Sequence, residues 1–228
     1  SVLSLNSDWL EQALDENLLE IVTNAMNKKD YAAFAESANT MKGLAGNMND
    51  AKVFAYIETA TADILKRANQ LTDAHKYEDA INIYQALKPL EDTTQSIANA
   101  NLLWDKYEPI RVLQRLYTGK EFLYSVTARN KWGADSIVAA ISGDGGIYFG
   151  TLTGEKAMAV TEGTLDGTTG ITKVSFKSSL STAGNPVIYM DAKSTERDHH
   201  YLAYEVRSGS MVKILDVEAD QLTVDPNH

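Results

Sequence analysis

In the stretch IRVLQRLYTGKEFLYSV, residues 110–126, the pattern of apolar residues changes, and the fold turns on that change. Before Gly119 the apolar residues Ile110, Leu113 and Leu116-Tyr117 recur every three to four positions, which traces one face of a helix. Gly119 closes that helix. After it the period drops to two, the spacing of a strand with one buried face. Outward in both directions the same periods persist, helix through residue 118 and strand beyond. The sequence therefore predicts an α+β chain of two domains: an all-α helical-hairpin domain over 1–118 and an antiparallel all-β sandwich or barrel over 119–228. A chain of 228 residues is ample for both.

Upstream, six helices are expected. Asp8-x-x-Glu11 reads as a capping box opening the first. Leu10, Leu14, Leu18, Ile21, Val22 and Ala25 form its apolar stripe. Asp30 caps a second helix carrying Tyr31, Phe34, Ala38 and Met41, which Gly43 and Gly46 end. Asn49-Asp50 starts a third, with Val53, Ile57, Ile64, Ala68 and Leu71. A fourth runs from Tyr77 to Leu87 ahead of Pro89, and Asp92 caps a fifth carrying Ile97, Ala100 and Trp104. Pro109 stands in the first turn of the sixth, where its missing N–H costs least. Short connections make these three antiparallel hairpins. A short echo marks several starts: Lys29-Asp30-Tyr31, Lys76-Tyr77-Glu78 and Lys106-Tyr107-Glu108.

In the fourth helix Tyr77 comes first, Ala80 follows, and Tyr84 lies one turn further on, with Ala68 in the helix before. At these positions the hairpin of residues 61–90 resembles a tetratricopeptide repeat, whose second helix opens on an aromatic, packs through a small alanine and carries a further aromatic. The Trp, Leu and Gly of that family's first helix are absent, and Pro89 comes early. The resemblance implies stacked hairpins with a concave surface for a protein or peptide partner, and makes Tyr77 and Tyr84 candidate binding residues.

Downstream, nine short strands are expected near 122–128, 136–142, 147–152, 157–161, 171–176, 186–191, 200–206, 211–217 and 221–224. Gly143-Asp144-Gly145-Gly146, Asp166-Gly167 and Ser208-Gly209 supply turns between them. This spacing suits antiparallel pairing and not βαβ units.

Composition removes several functions. With 31 acidic against 21 basic residues, the formal net charge is −10 and no basic stripe offsets it, so nucleic acid is not an expected partner. The absence of cysteine removes disulfides, thiol nucleophiles and thiolate metal sites. No stretch approaches the ~20 apolar residues of a membrane helix. The chain opens Ser1-Val2-Leu3 without Met, as a processed piece of something longer would. Together with the Gly/Ser/Thr-rich turns this points to an extracytoplasmic or bacterial cell-surface setting.

Residue patterns offer no catalytic motif, and neither a cofactor nor a metal is expected. Gly143-Asp144-Gly145-Gly146 carries one carboxylate, with Asp135 well upstream, whereas calcium wants six or more oxygens; a hairpin turn is the expectation. Asp198-His199-His200, near Asp191 and Glu196, is the one histidine cluster. Adjacent residues of a strand point to opposite faces, so the two rings are not expected to share a metal. Ser210-Met211-Val212-Lys213 copies the Ser-x-x-Lys of acyl-enzymes, but in a strand its ends face opposite sides. Trp132, in the loop Asn130-Lys131-Trp132-Gly133, is either a lid over the core or an exposed stacking platform. Tyr189 and Tyr201 alternate with Ile188, Met190 and Leu202 and are expected to face outward. The function expected is a non-catalytic protein-interaction scaffold. The alternative is a glycan- or cell-wall-binding β module using Trp132, Tyr189 and Tyr201. A third is an enzyme resting on carboxylates from separate strands, first among them Asp191, Asp198 and Glu205.

Overall fold

A computed structural model describes residues 2–44, 51–165 and 170–223. Among these residues it has six helices and then eight strands. The helices are α1 (Val2–Asn27), α2 (Tyr31–Leu44), α3 (Ala51–Asp73), α4 (Tyr77–Leu87), α5 (Thr94–Tyr107) and α6 (Ile110–Leu116). The strands are β1 (Phe122–Lys131), β2 (Ala134–Ser142), β3 (Gly146–Thr153), β4 (Lys156–Thr164), β5 (Ile171–Phe176), β6 (Val187–Ala192), β7 (His199–Arg207) and β8 (Ser210–Ala219). The chain divides into two compact units, 1–104 and 105–228. That division falls inside α5, ahead of the period change at Gly119, so the end of α5 and all of α6 belong with the strands.

In the helical unit one turn is used twice. Lys29 and His75 take φ of 56° and 59°, the left-handed residue of a Schellman helix end. The N–H of Asp30 donates to the Ala25 carbonyl at 2.9 Å, and that of Lys76 to the Leu71 carbonyl at 2.8 Å. Tyr31 and Tyr77 then open α2 and α4. The echo at Lys106-Tyr107-Glu108 is not a third copy, because Tyr107 ends α5. Asp30 caps α2 as expected, accepting the Ala33 N–H at 3.0 Å. Asp92 accepts the Thr94 N–H at 3.1 Å at the start of α5. Asp8 is no cap, since α1 begins at Val2 and runs through it. Gly46 and Asn49-Asp50 lie outside the described residues.

Phe34, Ile57, Ile64 and Leu87 fill the core of this unit. Ala68 and Ala80 expose no surface, in a second cluster with Tyr84 and Ala100. The stripe expected on α1 splits: Val22 and Ala25 are buried, whereas Leu10, Leu14 and Ile21 are 60%, 51% and 48% exposed.

The second unit holds two four-stranded antiparallel sheets, ordered β1-β2-β3-β4 and β5-β6-β7-β8. Among the described residues neither closes into a barrel. The ninth strand is not formed at 221–223, and Val224 lies outside the described residues. Ile137, Ala139, Ile141 and Phe149 of the first sheet join Ile188, Met190, Leu202 and Tyr204 of the second in one apolar cluster. Almost every residue of β2 is buried, which requires cover on both faces. Ile137, Ala139 and Ile141 join the cluster with the second sheet, while Val138 and Ala140 lie with Tyr148 under Leu113 of α6. This explains the unbroken apolar run over 137–141 where alternation would suit a half-exposed strand. Gly150 admits the helix: a Cβ there would lie 2.9 Å from Leu113 Cδ2 and 3.2 Å from Val138 Cγ1. Buried Asp105, near the end of α5, accepts from Arg111 Nε at 3.1 Å and from Arg115, tying α6 in place. Among the described residues no helix is long and apolar enough to cross a membrane.

Candidate functional site

The end of α1, the start of α2 and the α3–α4 hairpin enclose a groove of about 620 Å³. Helical spacing assembles it. Asp63, Ile64, Arg67 and Leu71 share one face of α3, and Asp79, Asn82 and Ile83 share one face of α4. The Schellman turn at Lys29 delivers Tyr31 and the Lys29 side chain to the opposite bank. The floor is apolar, from Met26, Ile64, Leu71 and Ile83. The rim is polar and exposed: Lys29, Asp63, Arg67, Asp79 and Asn82. None of these five side chains makes an ion pair or hydrogen bond with another described residue. Two cations, two carboxylates and an amide thus stand above an apolar floor, so the rim offers both hydrogen-bond donors and acceptors.

Tyr77 and Tyr84 are not on this surface. Both are buried. The Tyr77 hydroxyl lies 2.7 Å from His75 Nδ1, and its ring stacks on Trp104 at 6.2 Å. The Tyr84 hydroxyl donates to Asn69 Oδ1 at 2.6 Å, and its carbonyl accepts from the Thr93 hydroxyl. They hold the hairpin together and present no open ring to a partner. The groove residues went unread in the sequence because charged residues on a helix face look the same whether they border a groove or open solvent. The available signal was the turn echo, whose two copies stand close to Lys29 and Tyr31 and to Asp79, Asn82 and Ile83.

On the second sheet Tyr189 and Tyr201 do face away from the core, and the structure brings them together. Their rings stack at 6.1 Å and 24°. His199 stacks on Tyr201 at 5.2 Å and 14°, and Lys177 Nζ lies 5.2 Å from the Tyr189 ring centre. A ladder of four side chains thus crosses β7, β6 and the end of β5, and its ring faces cover one another. Tyr201 is buried, and burial, then Tyr201 and Asp191, push the Tyr189 hydroxyl up to about 12. Sugar stacking needs an open ring face. Trp132 lies elsewhere, on the core side, 5.4 Å from Phe176. It sits with Gly133 in a two-residue turn at φ of 50°, a conformation that favours Asn or Gly, and packing of its ring over the core offsets that backbone cost. Of the two roles expected for Trp132, this is the lid.

The histidines point to opposite faces, as their adjacency requires. His199 Nδ1 is 2.8 Å from Asp191 Oδ1, and His200 Nε2 is 2.7 Å from Asp216 Oδ1. The hydrogen bond from His200, then that from Lys213, holds the Asp216 carboxyl below the usual range. Among the described residues no group of three or more His, Asp or Glu is placed to hold a metal ion. Asp144 is engaged by Lys120 and the Ser142 hydroxyl, which bring its carboxyl down to about 2. The enzyme candidates do not converge. Glu205 pairs in register with Val187, four residues along β6 from Asp191, a separation of about 13 Å at strand rise. That exceeds the ~5–9 Å of a working carboxylate pair. Asp198 donates its own N–H to Asp220.

No protein-family model, curated protein or solved structure matches this chain.

Proposed function

We propose that the chain is a non-catalytic scaffold whose helical unit holds an extended segment of another protein in the groove beside α3 and α4. The observation that carries this reading is the groove itself: an apolar floor under Lys29, Asp63, Arg67, Asp79 and Asn82, whose polar groups have no partner among the described residues. Polar groups of that kind bond a ligand by exchanging water for it, with no internal contact to break first. The reading of the α3–α4 hairpin as tetratricopeptide-like is supported by the complete burial of Ala68 and Ala80 and by the repeated turn at Lys29 and His75. Reading the second unit as a β-sandwich is supported by the single apolar cluster its two sheets share. The glycan alternative draws no such support, since the tyrosine rings cover each other and Trp132 lies on the other face.

The test is a random peptide phage library panned on the full chain, with Arg67→Glu/Asn82→Ala as the counter-screen. Peptides that lose about tenfold or more in affinity on the double variant, a loss of roughly 1.4 kcal/mol, support the groove. Failure to enrich any peptide, or peptides that bind both proteins alike, would overturn it.

A further inference from the structure

We infer that β4 pairs antiparallel with β4 of a second copy of this chain, joining the four-stranded sheets of the two copies edge to edge. Among the described residues β4 ends its sheet, so one side of its backbone has no strand beside it. The two-residue turn Gly154-Glu155, with Gly154 at φ of 60°, links Thr153 to Lys156 and sets the phase of the ladder. As the last residue of that turn, Lys156 sends its N–H back to β3. Alternation then directs the backbone groups of Lys156, Met158, Val160 and Glu162 to β3, and those of Ala157, Ala159 and Thr161 to the open edge. The register of β4 runs unbroken from Lys156 to Glu162. The other edges suit a second copy less. β5 is short and shifted in register, and β8 is shifted in mid-strand and already joins Lys213 to Asp216. β1 carries Arg129 and Lys131 and no acidic residue to answer them.

Charge selects the occupant. Val160 packs on the cluster that both sheets share and Ala159 on the cluster under α6, so Lys156, Met158, Val160 and Glu162 lie on the face toward the second sheet. Met158 is 59% exposed there. Lys156 and Glu162 are exposed, and neither makes an ion pair or side-chain hydrogen bond with another described residue. Inward-pointing charges at an edge keep most strands away. An identical strand answers both. Antiparallel pairing centred on Ala159 sets Lys156 against Glu162 of the second copy, Met158 against its Val160, and Ala157 against its Thr161. Glu155, in the turn, falls opposite Gly163, so no two carboxylates oppose. Ala157, Ala159 and Thr161 are the residues whose backbone groups are open, and this register lets them exchange hydrogen bonds with Thr161, Ala159 and Ala157 of the second copy. A parallel pair in register would set Lys156 beside Lys156 and Glu162 beside Glu162, and an antiparallel slip of two residues would set Glu162 against Met158.

This inference is independent of the groove and is tested on the full chain by sedimentation equilibrium over a range of concentrations. The native protein is expected to dimerise weakly and reversibly, since pairing along one strand edge makes a small interface. Lys156→Glu and Glu162→Lys are each expected to weaken the dimer about tenfold, and the double exchange Lys156→Glu/Glu162→Lys to restore it. Glu162→Lys separates pairing from overall repulsion, because a smaller net charge than −10 would by itself tighten the dimer. Ala159→Pro removes the central edge donor and is expected to weaken the dimer about a hundredfold or more; an edge strand tolerates proline, and far-ultraviolet circular dichroism will verify the fold. Should that variant misfold, the charge exchange, made on exposed side chains, still decides. Amide exchange reads the register: the N–H groups of Ala157, Ala159 and Thr161 should exchange more slowly as protein concentration rises. A native protein that stays monomeric at millimolar concentration contradicts the inference. So does a dimer that the double exchange fails to restore, or one whose β4 amides exchange alike at low and high concentration.

Discussion

Asp105 of the sheet-bearing unit is buried between Arg111 and Arg115, and elsewhere in that unit Glu205 meets Arg207, Asp216 meets His200 and Lys213, and Asp144 meets Lys120. Arg67 and Asp79 of the helical unit border a groove and meet no described residue. Charge is spread evenly along the chain, net −6 over the first 118 residues and −4 over the rest. What differs is whether that charge is answered from within. In the second unit these charges meet partners from the fold, whereas at the groove they meet none among the described residues. Removal of a charge should therefore cost stability in one unit and binding in the other.

The largest effect is expected at Asp105. Asp105→Ala removes the carboxylate that Arg111 and half-exposed Arg115 share and should destabilise the sheet-bearing unit by about 1.5–3 kcal/mol, read by thermal unfolding followed in the β-sheet band of the amide infrared spectrum. A loss within ~0.5 kcal/mol would show that internal pairing does not hold this unit together.

The next effect depends on pH. Tyr189 is held protonated in the fold, with its hydroxyl raised from the ordinary 10 to about 12. The unfolded chain releases this proton first as pH rises. Stability from this group is therefore complete below pH 10 and is lost as the pH climbs through about 12. Tyr189→Phe should flatten that part of the alkaline stability curve, and absorbance at 295 nm should show one late-titrating tyrosine fewer in the variant than in the native protein, where burial also raises Tyr117 and Tyr204.

In the helical unit Lys29 sets stability against binding. It holds a left-handed conformation that glycine adopts without strain, so Lys29→Gly should raise the stability of this unit by about 0.5–1 kcal/mol in thermal unfolding while removing a groove cation. The smallest effect on stability is expected for Arg67→Glu/Asn82→Ala, within about 0.5 kcal/mol of native in the same experiment, since neither side chain has a described partner to lose.

Much of the fold was legible because it rests on short-range signals. The period change at Gly119 falls between the last helix and the first strand, and Asp30, Asp92 and Ser208-Gly209 mark ends by their local chemistry. Eight of the expected strands form, and the turn at Trp132 falls in the expected loop. Long-range contacts were not legible. The allegiance of α6 to the sheets rests on Leu113 meeting Gly150 and Val138, which no periodicity within α6 announces. The stripe on α1 has the right spacing for a core and yet Leu10, Leu14 and Ile21 are exposed, because amphipathicity tells that a face wants cover and not what covers it. For the candidate sites, alternation placed Tyr189 and Tyr201 on an outer face but could not show that their rings stack on each other. The repeat pattern located Tyr77 and Tyr84 correctly within a hairpin, where they serve packing; the groove beside them is built from Arg67, Asp79 and Asn82, residue types too common on helix surfaces to stand out.

A hydrogen-exchange footprint of the full chain, taken with the tightest peptide from the library, reads the groove itself. Exchange is predicted to slow only at the facing turns of α3 and α4 and at the Lys29 turn, with β5 to β8 unchanged. Protection on the outer face of β5 to β8, with the helical groove exchanging as in the free protein, would put the binding surface on the other unit and end the scaffold reading of α3 and α4.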